Sequence, residues 1–356
     1  MNTKIIKVDP IEPDRRAVMR AARIIRIGGT VAFPTETVYG LGADAFNEAA
    51  ANKIFVAKRR PRDNPLIVHL KGPDQLELVS SVDEEIMRIA RKVWPGPVTL
   101  VLPAAHDLPL AVTAGLKTVA VRVPAHPVAL LLIELSGTPI AAPSANLAGK
   151  PSPTTARHVI EDLQGRVDAI IDAGETFFGV ESTIVNLTVK PPVLLRPGAL
   201  GIEELKPIVG KIVVPREAQG NSEYKVAIAP GMKYRHYAPT KRVFLAGNTE
   251  NYLKILEKST EYGRPAAICS EEMKPAVDGL GIRCIIMGRE SDLYTVARGL
   301  FTSLRVLDKI DADFGIVQPF DESGIGLAIM NRLRKASGHM VINSPEELPV
   351  YFSERR

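Results

Sequence analysis

The chain reads as an α/β protein: a twisted mixed sheet with flanking helices first, then a smaller, doubly wound α/β domain. Three observations predict this. Its 356 residues exceed the usual size of a single hydrophobic core, so two domains are expected. In the first 200 or so residues strand and helix signals alternate and then give way to consecutive strands, a pattern that calls for a mixed sheet rather than a purely parallel one. After Lys241 the strand–helix alternation becomes regular.

In chain order, Asp14 caps a helix carrying Ala17, Val18, Ala21, Ile24 and Ile25, and Gly28-Gly29 stops it. An apolar strand, 30–33, leads into 34–42, where hydroxyls and glycines gather at a strand end, a common place for backbone that contacts a ligand. A helix over 48–57 delivers the chain into a basic stretch, 58–69, whose end is the strand 66–70. Helical patterns follow at 83–93 and 127–135, and strands at 98–102, 118–123 and 139–142. Ser152 or Thr154 starts a helix through Leu163, and strands at 169–172, 182–187 and 193–196 close the first domain, 1–205. Pro207, Pro215, Gly220, Pro230 and Pro239 then break the periodicity, so 206–240 reads as a linker. Within it, 229–239 gathers two tyrosines, a histidine, an arginine and a lysine, more than a passive spacer needs, and reads as a lid that reaches back over a site. In 241–356, strands at 243–246, 266–269, 283–287 and 314–317 alternate with helices at 251–259, near 271–277, at 293–310 and at 325–336. This Rossmann-like domain lacks both G-x-G-x-x-G and a P-loop.

Composition narrows the function classes. Hydrophobic content of 46% with 24% charged residues belongs to a soluble globular protein. A net charge of +5 permits contact with nucleotides or RNA without requiring it. No apolar run approaches the roughly 18 residues of a membrane span, and 1–10 lacks the apolar core of a signal peptide. Cys269 and Cys284 are spaced for neither a C-x-x-C redox motif nor a zinc site, and read as isolated buried thiols in a reducing cytosol. The six histidines show no ligand spacing, and neither Ser144 nor Ser182 sits in a G-x-S-x-G elbow. A metal-ligand set and a covalent nucleophile are therefore both without sequence support.

The stretch 58–69 carries the most chemistry. Lys58, Arg59, Arg60 and Arg62, with Lys71 just beyond, surround a single acid, Asp63, while Pro61 and Pro65 stiffen the backbone. Cations held in a proline-locked connection suit an anion, phosphate above all; the plainer use is a solvated charged loop. Other polar side chains fall at ends of the strands: Thr35, Thr37, Asn64, His69, Thr118, Arg122, Ser144, Asn146, Ser152, Ser182 and Arg196. Each has a plainer use too, Ser144 and Ser152 as helix caps, Arg122 as the partner of an acid, His69 as a satisfied core histidine. Together they supply several cations and hydroxyls. At roughly 1.5–3 kcal/mol per charged hydrogen bond, three or four would hold a nucleotide triphosphate at micromolar affinity.

Five phrases, FPTETVYGLG (33–42), K-x-R-P-x-x-N-P-L-x-x-H (58–69), PSAN (143–146), GVEST (179–183) and LLRPGA (194–199), resemble the YrdC family of threonylcarbamoyl-AMP synthases. PGMKYRHYAP (230–239) and the α/β domain after it resemble that family's longer, two-domain form. The resemblance implies a YrdC-like first domain and the synthesis of L-threonylcarbamoyl-adenylate and pyrophosphate from ATP, L-threonine and bicarbonate. It also implies a partner transferase of the Kae/TsaD type that passes the group to position 37 of ANN-decoding tRNAs, and a cytoplasmic location. By the family's pattern Lys58 and Arg60 are catalytic; Arg60, Asn64, Thr118, Ser144, Ser152, Arg196 and His236 line the ATP site. Thr37, His69, Arg122 and Ser182 hold threonine, with Arg122 on its carboxylate and Thr35 as a further contact. Mg²⁺ would come with ATP, without a protein site of its own. Position 142 is alanine where relatives carry a hydroxyl, so any contact there falls to the backbone.

Two other classes compete with this one. An RNA-binding module, with at least a weak tRNA contact, would use a basic concave surface, but there is no RNP motif and aromatics are only 5%, too few for stacking platforms. A carbamoyltransferase-maturation factor would carry zinc-finger cysteines, which two cysteines cannot supply.

Overall fold

The computed structural model describes residues 2–105, 107–220, 222, 229 and 237–353. Its first domain contains β1 (Lys4–Lys7), α1 (Arg15–Arg26), β2 (Val31–Phe33), β3 (Gly40–Asp44), α2 (Glu48–Lys58), β4 (Ile67–His69), α3 (Glu84–Val93) and β5 (Val98–Pro103). It continues through α4 (Leu110–Thr113), β6 (Thr118–Arg122), α5 (Pro127–Ser136), β7 (Ile140–Ala142), α6 (Ala156–Leu163), β8 (Ala169–Asp172), β9 (Thr183–Asn186), β10 (Val193–Arg196) and α7 (Ile202–Val209). The strands form one sheet in the order β1-β8-β2-β3-β7-β4-β6-β5-β9-β10. It is mixed: β4 runs parallel to β6 while β7 runs antiparallel to β4, and β5 runs parallel to β9 but antiparallel to β6.

The helices start where the sequence places acceptors. Asp14 takes the amides of Arg16 at 2.6 Å and Ala17 at 3.2 Å, Asn47 takes Ala50 N at 3.0 Å, and Asp83 takes Ile86 N at 2.8 Å. The apolar faces of these helices pack on both sides of the sheet, giving one cluster around Leu41, Ile54, Leu66 and Val121 and a second around Val18, Ile25, Val31 and Leu132.

The second domain comprises β11 (Arg242–Ala246), α8 (Thr249–Ser259), β12 (Pro265–Ser270), α9 (Lys274–Gly279), β13 (Arg283–Gly288), α10 (Leu293–Leu307), β14 (Phe314–Val317), α11 (Gly326–Ala336), β15 (Val341–Ile342) and α12 (Leu348–Phe352). Its five strands are all parallel, in the order β13-β12-β14-β11-β15, with an apolar cluster on each face, as a doubly wound sheet requires. The domains meet closely. Val38, Val180, Ala199 and Tyr237 share an apolar cluster with side chains of α10 and α11. Gly179 has φ +74°, and a Cβ there would lie 2.4 Å from Arg298 Cα, so only glycine permits this approach. Asp162 pairs with Arg305 at 2.7 Å across the contact, and Glu161 with Lys309 at 2.7 Å.

Several local expectations are corrected. The phrase 34–42, read only as the end of a strand, itself enters a strand: Gly40 begins β3, and Gly42 lies where a side chain would strike the Phe33 ring and Ile140. Neither Ser152 nor Thr154 caps α6; Thr155 does, accepting from His158 N at 3.3 Å. The stretch expected as linker, 206–240, begins inside α7, whose Leu205 and Val209 are buried despite Pro207. The cysteines are not isolated: Cys269 Sγ and Cys284 Sγ, on neighbouring strands, lie 3.3 Å apart. Cys284 is only half-buried. Among the described residues no helix is long and apolar enough to cross a membrane.

Candidate active site

The floor of the site is built by strand register. His69 stands opposite Arg122 and Ile67 opposite Ala120 across β4 and β6, while Ala142 of β7 faces Ile67. Side chains two residues apart share a face of a sheet, so Ile67, His69, Arg122 and Ala142 surface together in a cavity of about 330 Å³. The volume suits a small-molecule site. The cavity gathers twelve of the side chains picked out in the sequence: Thr35, Thr37, Lys58, Arg60, Asn64, His69, Arg122, Ser144, Asn146, Ser152, Ser182 and Arg196. Thr118 is not brought in. It begins β6, two residues before Ala120, half-buried and outside the lining. His236 lies outside the described residues. Arg59, another cation of the basic stretch, also reaches the lining, from the left-handed position that ends α2.

At one end a buried network surrounds Arg122. Its guanidinium meets Glu36 Oε1 at 2.6 Å, Thr37 Oγ1 at 2.9 Å and Gly96 O at 3.2 Å. Thr35 Oγ1 donates to Val38 O at 2.6 Å, so the 2.8 Å contact between Thr35 and Thr37 is donated by Thr37. The plainer use foreseen for Arg122, pairing with an acid, is thus realised alongside its place in the cavity. His69 Nδ1 lies 3.1 Å from Ile67 O, and burial, then the charge of Arg122, push its pKa down to about 3. His69 is a neutral imidazole at physiological pH.

The other end holds the basic stretch. Lys58 Nζ donates to Ser144 O at 2.6 Å and Asn146 O at 2.5 Å, tying the end of α2 to the turn after β7. Burial, then the Arg60 charge, hold its pKa well below the ordinary lysine range. Arg60 Nη2 donates to Asn64 O at 3.3 Å and Pro65 O at 3.2 Å, and Asn64 Oδ1 is buried without a hydrogen-bond partner among the described residues. Ser144 Oγ donates to Asn146 Oδ1 at 2.6 Å. Arg196 donates to Ser182 O at 3.0 Å and to its Oγ at 3.2 Å, and Ser182 Oγ meets Thr99 Oγ1 at 2.8 Å.

Sequence reasoning missed three contributors. Glu36 and Glu181 stand inside the quoted phrases but were passed over, because an acid looks misplaced beside an anion. The signal was present: an acid in a run of otherwise buried residues needs a cation, and Glu36 has Arg122 while Glu181 has Arg332 at 2.9 Å. Although burial pushes Glu181 up, Arg332 and Arg196 pull its pKa down to about 2. The third, Arg332, comes from α11 of the second domain, and nothing in its own neighbourhood of the sequence points to the cleft. Tyr237, from the expected lid, lines the cavity and stacks on Phe301 at 5.2 Å, while Ala238 N donates to Gly149 O at 2.9 Å.

Cations, hydroxyls and two paired acids around one cleft suit a small anionic substrate beside a polar one. A family model described as "Telomere recombination", covering the Sua5, YciO and YrdC proteins, matches residues 23–198, and one described as "Threonylcarbamoyl-AMP synthase, C-terminal domain" matches residues 200–338. The threonylcarbamoyl-AMP synthase of Pyrococcus abyssi is 48% identical over 328 residues, covering 90% of this chain and 94% of that protein. The Bacillus subtilis protein of the same name is 46% identical over 339 residues, 94% of this chain and 96% of its own. Among solved structures, P. abyssi Sua5 complexed with L-threonine superposes with a TM-score of 0.88 at 45% identity, covering 96% of this chain and 99% of that one. With both models matched end to end and relatives this similar along nearly the whole chain, the protein belongs to the two-domain threonylcarbamoyl-AMP synthase family.

Proposed function

We propose that this cleft joins L-threonine, CO₂ or bicarbonate and ATP into L-threonylcarbamoyl-AMP and releases pyrophosphate. The observation that carries the reading is one cavity lined by Lys58, Arg60, Arg122 and Arg196 together with hydroxyls from both sides, in a chain 45% identical to a relative solved with L-threonine. The threonine amine attacks CO₂, forming an N–C bond and losing a proton. A carbamate oxygen then attacks the α-phosphorus of ATP as the bond to the β-phosphate breaks. Both reactants are anions, so cations must let them approach and hold the charge that builds up. Lys58 and Arg60 take that role in our reading, with Asn64, Ser144, Ser152, Arg196 and His236 on the nucleotide, while Thr118, outside the lining, is left out of it. Arg122, Thr37, His69 and Ser182 take threonine, with Arg122 on its carboxylate and Thr35 beside it.

The donor set does not fit a resident Mg²⁺. Both acids of the cleft are committed to arginines, and no cluster of three or more metal-ligating side chains occurs among the described residues. Mg²⁺ is accordingly assigned to the ATP that carries it. A carbamate decays in water, and Tyr237, buried beside the cavity, supports a covering role for the end of the expected lid, whose residues 230–236 lie outside the described residues. The product is a mixed anhydride, which calls for a transferase, of the Kae/TsaD type in this reading, that moves the group onto tRNA in the cytoplasm. The purified chain should release pyrophosphate from ATP only when L-threonine and bicarbonate are both present. Release without threonine, or full substitution by serine, refutes the assignment.

A further inference from the structure

Glu181 is where three separate parts of the chain meet. Its Oε1 accepts Ser152 Oγ at 2.5 Å, its Oε2 accepts Arg332 Nε at 2.9 Å, and the Tyr237 hydroxyl hydrogen-bonds the same carboxylate. Ser152 and Tyr237 line the cavity. Arg332 stands behind them with no exposed surface, its guanidinium carbon 5.4 Å from the centre of the Tyr237 ring. Nη1 donates to Asn331 Oδ1 at 2.8 Å, while Nη2 is buried without a hydrogen-bond partner among the described residues. A buried ion pair with one donor left open is a poor stabiliser, because desolvation takes back most of the attraction. What a planar guanidinium does supply is direction: it holds a carboxylate in one orientation.

We propose that Arg332 is a positioning residue of the synthase site, fixing the Glu181 carboxylate so that it sets the Ser152 hydroxyl and the Tyr237 ring against the bound nucleotide. The second domain thereby takes part in the reaction without touching substrate. This rests on the function proposed above.

The test uses the full chain, with Arg332→Met, Glu181→Gln and a docking control, Arg298→Met. Arg298 bonds Phe177 O at 2.9 Å on the same domain contact but lies outside the cavity lining. Arg332→Met should raise KM for ATP roughly ten- to a hundredfold, the cost of a small misplacement, and leave KM for threonine within about twofold. Arg298→Met should lower Tm and move neither constant. An Arg332→Met chain with lowered Tm but an ATP KM within about twofold of wild type overturns the proposal. Should Arg332→Met fail to fold, Glu181→Gln, which keeps the shape and weakens the pair, is read in the same way. Direct titration with Mg·ATP separates the two claims. Wild type that binds ATP yet makes no threonylcarbamoyl-AMP refutes the functional reading, while the titrated affinities of the variants still decide the role of Arg332.

Discussion

Replacing Lys58 with methionine probes the fold and the chemistry at once. Nζ sits between Ser144 O and Asn146 O, both in the turn after β7. Methionine keeps an unbranched apolar stem as far as Cε, lacks the terminal ammonium, and leaves those two carbonyls unpaired in a buried site. At about 1–3 kcal/mol for each of the two unmet groups, the first domain should lose about 2–6 kcal/mol. Its unfolding is readable through Trp94, the chain's single tryptophan, which is buried in that domain's core. Removing one charged hydrogen bond to a phosphate costs a further 1.5–3 kcal/mol or so, a fall of roughly 10–150-fold in kcat/KM for ATP. Urea titration followed by Trp94 fluorescence, and pyrophosphate release at folded-state urea concentrations, measure the two effects separately. If Lys58→Met unfolds early but turns over like wild type, Lys58 is a structural tie alone. If it turns over poorly at unchanged stability, the two carbonyl bonds carry no weight.

Other outcomes follow from the same geometry. Glu36→Gln removes the charged partner that buried Arg122 has among the described residues, which should destabilise the free protein by about 3–5 kcal/mol. Threonine then becomes that guanidinium's counter-ion, so its stabilising shift in Tm should exceed the wild-type shift; an equal or smaller shift contradicts the placement of its carboxylate on Arg122. His69 and His158 have pKa values of about 3 and about 4, both lowered mainly by burial from an ordinary 6.5. The unfolded chain therefore binds more protons between those values, and stability must fall as pH drops below 6.5, by about 1.4 kcal/mol per pH unit for each histidine. Denaturant titrations at pH 7 and pH 5 should differ by about 2 kcal/mol less in His69→Asn than in wild type; an unchanged difference would place His69 in a solvated setting.

Much of the fold was legible because local rules decide it. Asp14, Asn47 and Asp83 announce helix starts, and the repeated strand–helix spacing after Lys241 admits few arrangements other than a parallel sheet. β3 was missed because glycines depress strand propensity, whereas here they make room for the Phe33 ring, a tertiary fact. In the site, the basic stretch was legible from its density of charge. What escaped was pairing at long range. Arg332 sits in Asn-Arg-Leu-Arg-Lys, which reads as a solvated helix face, and only the docking of two domains turns it inward onto Glu181, 151 residues away. Likewise the sequence offered an acid partner for Arg122 without pointing to Glu36, and did not show that Lys58 is tied to the turn after β7, which makes each of them part of the architecture as well as of the chemistry.

The central claim, that one cleft condenses three substrates, is tested most directly by following labelled carbon. Purified chain incubated with ATP, L-threonine and ¹³C-bicarbonate should give a threonylcarbamoyl-AMP carrying the label, detected by mass spectrometry, with one pyrophosphate per adenylate formed. Pyrophosphate with an unlabelled adenylate, such as plain threonyl-AMP, would show that the amino acid is activated without carbamoylation and would contradict the account.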